Sequence, residues 1–190
     1  MPRMLTAVGS LILAISLIQL ANGYVGTLVG IRLAIEEVEP LIAGVVTSAY
    51  FAGYATGAVF CHRLIDRIGH IRAFTAFAAL VAAAFLVHPL YFGPILWTAL
   101  RALVGLGCAG LYVATESWLN VKATVATRGT VFAIYMVATY ATFALGQFAL
   151  NLASPTTFTL FALAAILFCI ALLLSPRPGP NSRCRSPVSA

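Results

Sequence analysis

The chain has 190 residues, of which 62% are hydrophobic and only 8% charged, a composition that excludes a water-soluble domain and marks an integral membrane protein. A formal charge of +6 would point to nucleic acid in a soluble protein. Here the basic residues are scattered at the ends of apolar runs, so the charge reads as membrane topology and no nucleic-acid partner is expected.

Apolar runs long enough to cross about 30 Å of hydrocarbon recur along the chain, and six fit. The first, 5–31, is longer than the apolar region of a signal peptide and lacks an A-x-A cleavage site. It also carries Gln19, Asn22 and Tyr24 in its second half, so it reads as a membrane span. An acidic, Pro-ended loop follows, with Glu36, Glu37 and Glu39. The second span covers 41–64. Around its end lies FCHRLIDRIGHIR, from Phe60 to Arg72, which reads as a short basic loop because such a cluster belongs where water meets lipid headgroups.

The third span, 73–87, is closed by the turn HPLYFGP, and the fourth covers 95–119. After the polar connector NVKATVATRG, which holds Lys122 and Arg128, the fifth span is 130–152 and the sixth is 158–174. The Pro, Ser and Arg tail, 176–190, is expected to be disordered. The expected fold is therefore an all-α bundle of six transmembrane helices, 1–175, partnered by the lipid bilayer.

Counting basic residues on alternate sides gives orientation. Arg3, Arg63, Arg67, Arg72, Lys122, Arg128, Arg177, Arg183 and Arg185 fall on one side, Arg32 on the other, and Arg101 within a span. The positive-inside rule then predicts that both termini are cytoplasmic.

Several residues within the spans do more than fill hydrocarbon. Gly26 with Gly30, and Gly53 with Gly57, are four apart and predict flat strips for helix packing. Gln19 with Asn22, and Gln147 with Asn151, fall at helical spacing and, with Tyr24, should face the bundle interior or a wet cavity, bonded between helices or lining a path. Arg101 and Glu116 are ionisable residues within the fourth span. Fifteen residues apart, roughly 22 Å along the axis, they cannot pair; Arg67 and Arg72 are the expected partners of Glu116. His62, His70 and His88 lie near span ends without a second ligand at metal spacing. Cys61, Cys108, Cys169 and Cys184 are expected to be free thiols. No metal, cofactor, nucleophile and base pair or phosphate-binding loop is expected, so an enzyme or a channel with a charged ring is disfavoured.

Two strings resemble the major facilitator superfamily. Between its second and third spans that superfamily carries G-x-L-A-D-R-x-G-R-K, matched here by Asp66, Arg67 and Gly69, with Arg72 extending the basic end. Near the start of the fourth it carries R-x-x-x-G-x-G, matched by Arg101, Gly105 and Gly107. SAYFAGYATG and GLYVATESWLN look further like a poorly characterised bacterial branch. His62 stands where the loop motif begins with Gly, and His70 replaces its first distal basic residue. The fifth span lacks the Gly-Pro-rich motif of drug antiporters.

The resemblance implies the N-terminal six-helix half of a secondary transporter in a bacterial inner membrane, built as two three-helix repeats. It implies that Asp66, Arg67, Gly69 and Arg72 gate the cytoplasmic face, that Arg101 lies near the substrate or proton path, and that Glu116 closes a relay with Arg67 or Arg72. Gly105 and Gly107 would pack helices. A single half predicts a truncated product, a homodimer, or a chain completed by a second six-helix half. The rival expectation is a non-transporting membrane interaction protein.

Overall fold

The structure, a computed structural model, describes residues 2–175, with side chains from Thr6 onward. The expected disordered tail lies outside the described residues. Six α-helices follow one another: α1 Pro2–Ile35, α2 Pro40–Ile68, α3 His70–Val87, α4 Pro94–Lys122, α5 Arg128–Gly146 and α6 Thr159–Leu174. Among the described residues there is no strand. The first four helices, and α5 with the 3-10 helix that follows it, are long and apolar enough to cross a membrane, whereas α6 is a shorter apolar helix of 16 residues.

Helix ends follow from backbone chemistry. Pro40 and Pro94 each open a helix, where the missing N–H costs nothing and φ is already helical. The end of α1 is a two-bond cap: Val38 N–H reaches Leu33 O at 3.0 Å and Glu37 N–H reaches Ala34 O at 3.2 Å. Glu37 accordingly sits at φ 53, a left-handed position that favours glycine.

The basic stretch 60–72 is not a loop. α2 continues to Ile68, one residue breaks the helix, and α3 begins at His70. That residue is Gly69, at φ 87 and ψ 155, whose N–H caps Ile65 O at 2.8 Å. Only glycine occupies that region without strain, so a single residue turns the chain. α4 likewise runs past its expected end to Lys122. The expected fifth span is broken: α5 stops at Gly146 and tightens into the 3-10 helix Gln147–Asn151.

In a bilayer the lipid tails are as apolar as the helices, so close van der Waals packing holds the bundle together. α4 packs between α2 and α3, α1 between α5 and α6, and α3 against α6. Exchanging helices one to three for four to six leaves this pattern unchanged. The closest approaches obey the same exchange. A Cβ on Gly53 would strike the Ala102 carbonyl and one on Gly105 the Tyr50 carbonyl, while Gly23 meets Phe143 and Gly146 meets Leu20. In each case the obstructing residue stands three positions before the partner glycine.

The expected strip at Gly26 and Gly30 is left uncovered, since a Cβ placed on either meets no neighbour within 4 Å among the described residues. The glycine that brings α1 against its neighbour is Gly23, one helical turn earlier. On α2, Gly53 and Gly57 both face α4, and Gly107 is pressed against Val81 of α3.

Candidate functional site

α4 presents Arg101, Cys108, Tyr112 and Glu116 at spacings of seven, four and four, which place them along one helix face. α1 and α2 bring polar or aromatic side chains to the first three. Arg101 Cζ lies 4.6 Å from the centroid of the Tyr50 ring. Tyr50 and Tyr54 rings are 6.2 Å apart, and Tyr54 and Tyr112 rings 6.0 Å. Tyr112 donates its hydroxyl proton to Gln19 Oε1. Asn22 Nδ2 donates to Tyr112 Oη at 3.3 Å and approaches Cys108 Sγ at 3.5 Å.

Gln19 and Asn22, three apart on α1, therefore act together on α4. Buried amides and hydroxyls in hydrocarbon must find partners, and these have found each other across helices. Arg101 has not. It is 5% exposed, its Nε is enclosed without an acceptor, and among the described residues no carboxylate or carbonyl accepts from its guanidinium.

Glu116 is exposed and accepts from the buried Tyr135 hydroxyl at 3.2 Å. Among the described residues it pairs with neither Arg67 nor Arg72, whose side chains are exposed on either side of the Gly69 break, and its bond goes to α5 instead. With Ser117, Asn120, Arg128 and Phe132 it lines a cavity of about 560 Å³ between α4 and α5. The ion pair found among the described residues is elsewhere: Arg32 Nη2 meets Glu36 Oε1 at 3.0 Å. Arg32 Nη1 also donates to Thr156 O at 2.5 Å, tying the end of α1 to the turn before α6.

Asp66 and Arg67 lie exposed at the end of α2, lining a second cavity of about 580 Å³ with Phe60, Arg63 and Leu64. Arg72 is exposed one turn into α3. Three residues expected to line a path do not join the α1 and α4 cluster. Tyr24 points toward α6 and donates to Leu160 O at 2.9 Å, because its register places it on the opposite face from Asn22. Gln147 donates to Gly23 O and accepts from Thr27 Oγ1 at 3.2 Å, clamping the end of α5 on α1. Asn151 bonds locally to Phe148 O at 3.3 Å within the 3-10 helix.

The residues missed from sequence are Tyr50, Tyr54, Cys108, Tyr112 and Tyr135. Their signal is helical spacing: Tyr50 and Tyr54 are four apart, and Cys108 and Tyr112 continue the face that carries Arg101. His88, just beyond α3, is a further buried ionisable group. Its Nδ1 lies 2.8 Å from Ala84 O and its ring stacks on Phe161 at 5.6 Å. Burial pushes its imidazole down to about 4, with the positive charge of Arg101 acting in the same direction.

Comparison with known proteins agrees with this helical arrangement. The profile described as Major Facilitator Superfamily matches residues 7–190. The chain is similar to an uncharacterized MFS-type transporter, YcaD, of Escherichia fergusonii, at 36% identity over 131 residues, covering 69% of this chain and 34% of the relative. An uncharacterized MFS-type transporter of Enterobacter sp. is 34% identical over 137 residues, covering 72% of this chain and 36% of the relative. The matched stretch thus spans about a third of the length of these relatives. A match of this extent, to a chain of apolar helices carrying both motifs, establishes that the protein belongs to the major facilitator superfamily of membrane transporters.

Proposed function

We propose that the chain supplies a six-helix half of a secondary carrier that moves a small solute across a bacterial inner membrane by alternating access, with both termini cytoplasmic. The observation that carries this reading is the polar cluster of Gln19 and Asn22 on α1 with Cys108 and Tyr112 on α4, beside Arg101, which lies against Tyr50 of α2. Polar and ionic groups within spans are costly, and their concentration on the two helices that exchange under the repeat supports a solute site at the repeat interface. The exposed Asp66 and Arg67, beside the glycine break at Gly69, support a gating role where two halves would meet. Arg72 belongs to the same proposed gate. Glu116, bonded to Tyr135, would act through α5 rather than through Arg67 or Arg72.

The test is uptake by proteoliposomes of a labelled panel of sugars, amino acids, amines and carboxylates, with protein-free vesicles as the baseline. Accumulation of at least one solute, lost on Asn22→Leu, is expected. A flat panel, with the protein folded and inserted, would sink transport by this chain alone and leave only the paired half.

A second reading has its own observation. In the apolar stretches of α2 and α5 only 17% of residues are buried, leaving Phe51, Val59, Ile134, Val137 and Tyr140 uncovered. These faces suit a non-transporting chain that pairs with a second six-helix half or a second copy. Light scattering corrected for bound detergent separates the cases: a mass near 20.0 kDa removes the self-paired form, and a stable larger complex supports pairing.

A further inference from the structure

Arg101 is a full charge inside a membrane span with no counter-ion among the described residues. The acids with described side chains are Glu36, Glu37, Glu39, Asp66 and Glu116. Glu36 is engaged by Arg32, and Glu116 stands roughly 22 Å along α4 at 1.5 Å per residue. The Tyr50 ring face offsets only a fraction of what desolvating a guanidinium costs. Its Nε is enclosed, which leaves the Nη groups as the donors open to a ligand. No second cation accompanies it in the cluster, whose other members are the amides of Gln19 and Asn22, the Cys108 thiol and tyrosines.

We propose that Arg101 anchors a singly charged organic carboxylate, and that the carried solute belongs to that class. A guanidinium fork matches a carboxylate through two parallel N–H···O bonds, and one fork without a second cation suits one negative charge. Tyr50, Tyr54 and Tyr112 step away from the guanidinium at 6.2 and 6.0 Å between ring centroids, offering aromatic surface to an apolar or flat body. Asn22 and Gln19 supply neutral hydrogen bonding at the far end of this row. The assignment rests on the solute-carrier reading and narrows it.

The experiment measures binding of acetate, benzoate, phenylacetate and indole-3-acetate to the purified full chain in lipid nanodiscs, each beside its neutral amide, by isothermal titration. At least one acid is expected to bind ten-fold or more tightly than its amide. Arg101→Gln should remove that preference, and Arg101→Lys, which keeps the charge without the fork, should retain only part of it. Acids binding no better than amides in the wild-type protein overturns the proposal, and that comparison holds even if Arg101→Gln fails to fold. An acid preference that survives in folded Arg101→Gln overturns it equally. Uptake separates the two readings. Amine or sugar uptake without acid binding keeps the carrier and sinks the carboxylate, whereas acid binding without uptake of any solute keeps the carboxylate site and sinks autonomous transport.

Discussion

At the scale of single residues, the chain puts its polar groups where neighbouring helices answer them, and the exceptions are the informative ones. His88 sits 1% exposed among Phe85, Trp97 and Phe161. Its carbonyl accepts from Trp97 Nε1 at 3.1 Å, so the ring is held within the turn that joins α3 to α4. Its folded value of about 4 lies below the ordinary 6.5 or so of an exposed imidazole. The neutral ring is therefore the one the fold accepts. Its contribution is intact above about pH 6.5 and is lost as pH falls from there toward 4, by up to about 3 kcal/mol. Melting temperature in detergent should drop across that window, and His88→Phe, which keeps an aromatic ring but cannot charge, should flatten the dependence. An equal drop in the variant would assign the effect to other groups.

At the scale of elements, small residues decide which helices touch. Gly53 and Gly105 bring α2 and α4 together, and Gly23 and Gly146 do the same for α1 and α5. Gly53→Ala would place a methyl group on the rigid Ala102 backbone, so the helices must separate, at a cost of about 1–3 kcal/mol. Gly26→Ala meets open space and gains helix propensity of up to about 1 kcal/mol. Thermal unfolding in one detergent should therefore move in opposite directions for the two variants. Sequence spacing marks both as members of four-residue glycine pairs and cannot separate them, because spacing fixes a helix face but not which helix covers it. The same ambiguity affects Tyr24, which shares a helix with Gln19 and Asn22 yet bonds to α6.

At the scale of the whole molecule, α1 and α4 are the well-buried helices and α2 and α5 the flanking ones, an arrangement that places the polar cluster between the two halves of the repeat. Charge distribution predicts that the Glu37 turn and the Arg67 end of α2 lie on opposite sides of the membrane. In a cysteine-free background, Glu37→Cys should react with a membrane-impermeant maleimide on intact cells, and Arg67→Cys only after permeabilisation. The reverse labelling would overturn the orientation.

Sequence by itself determined the all-helical membrane class, the approximate helices and the superfamily, and marked Arg101 as an ionisable residue within a span. These follow from composition, run length and short motifs, which are local properties. Tertiary structure decided the rest. It turned the basic loop into a continuous helix with one glycine break at Gly69, paired Glu116 with Tyr135 rather than an arginine, and moved the α1 contact from Gly26 and Gly30 to Gly23. It also assembled Tyr50, Tyr54, Cys108 and Tyr112 with Gln19, Asn22 and Arg101. The physical reason is that partners 86 to 93 residues apart meet only once the crossing and rotation of each helix are set. Those are set by where two backbones can approach most closely.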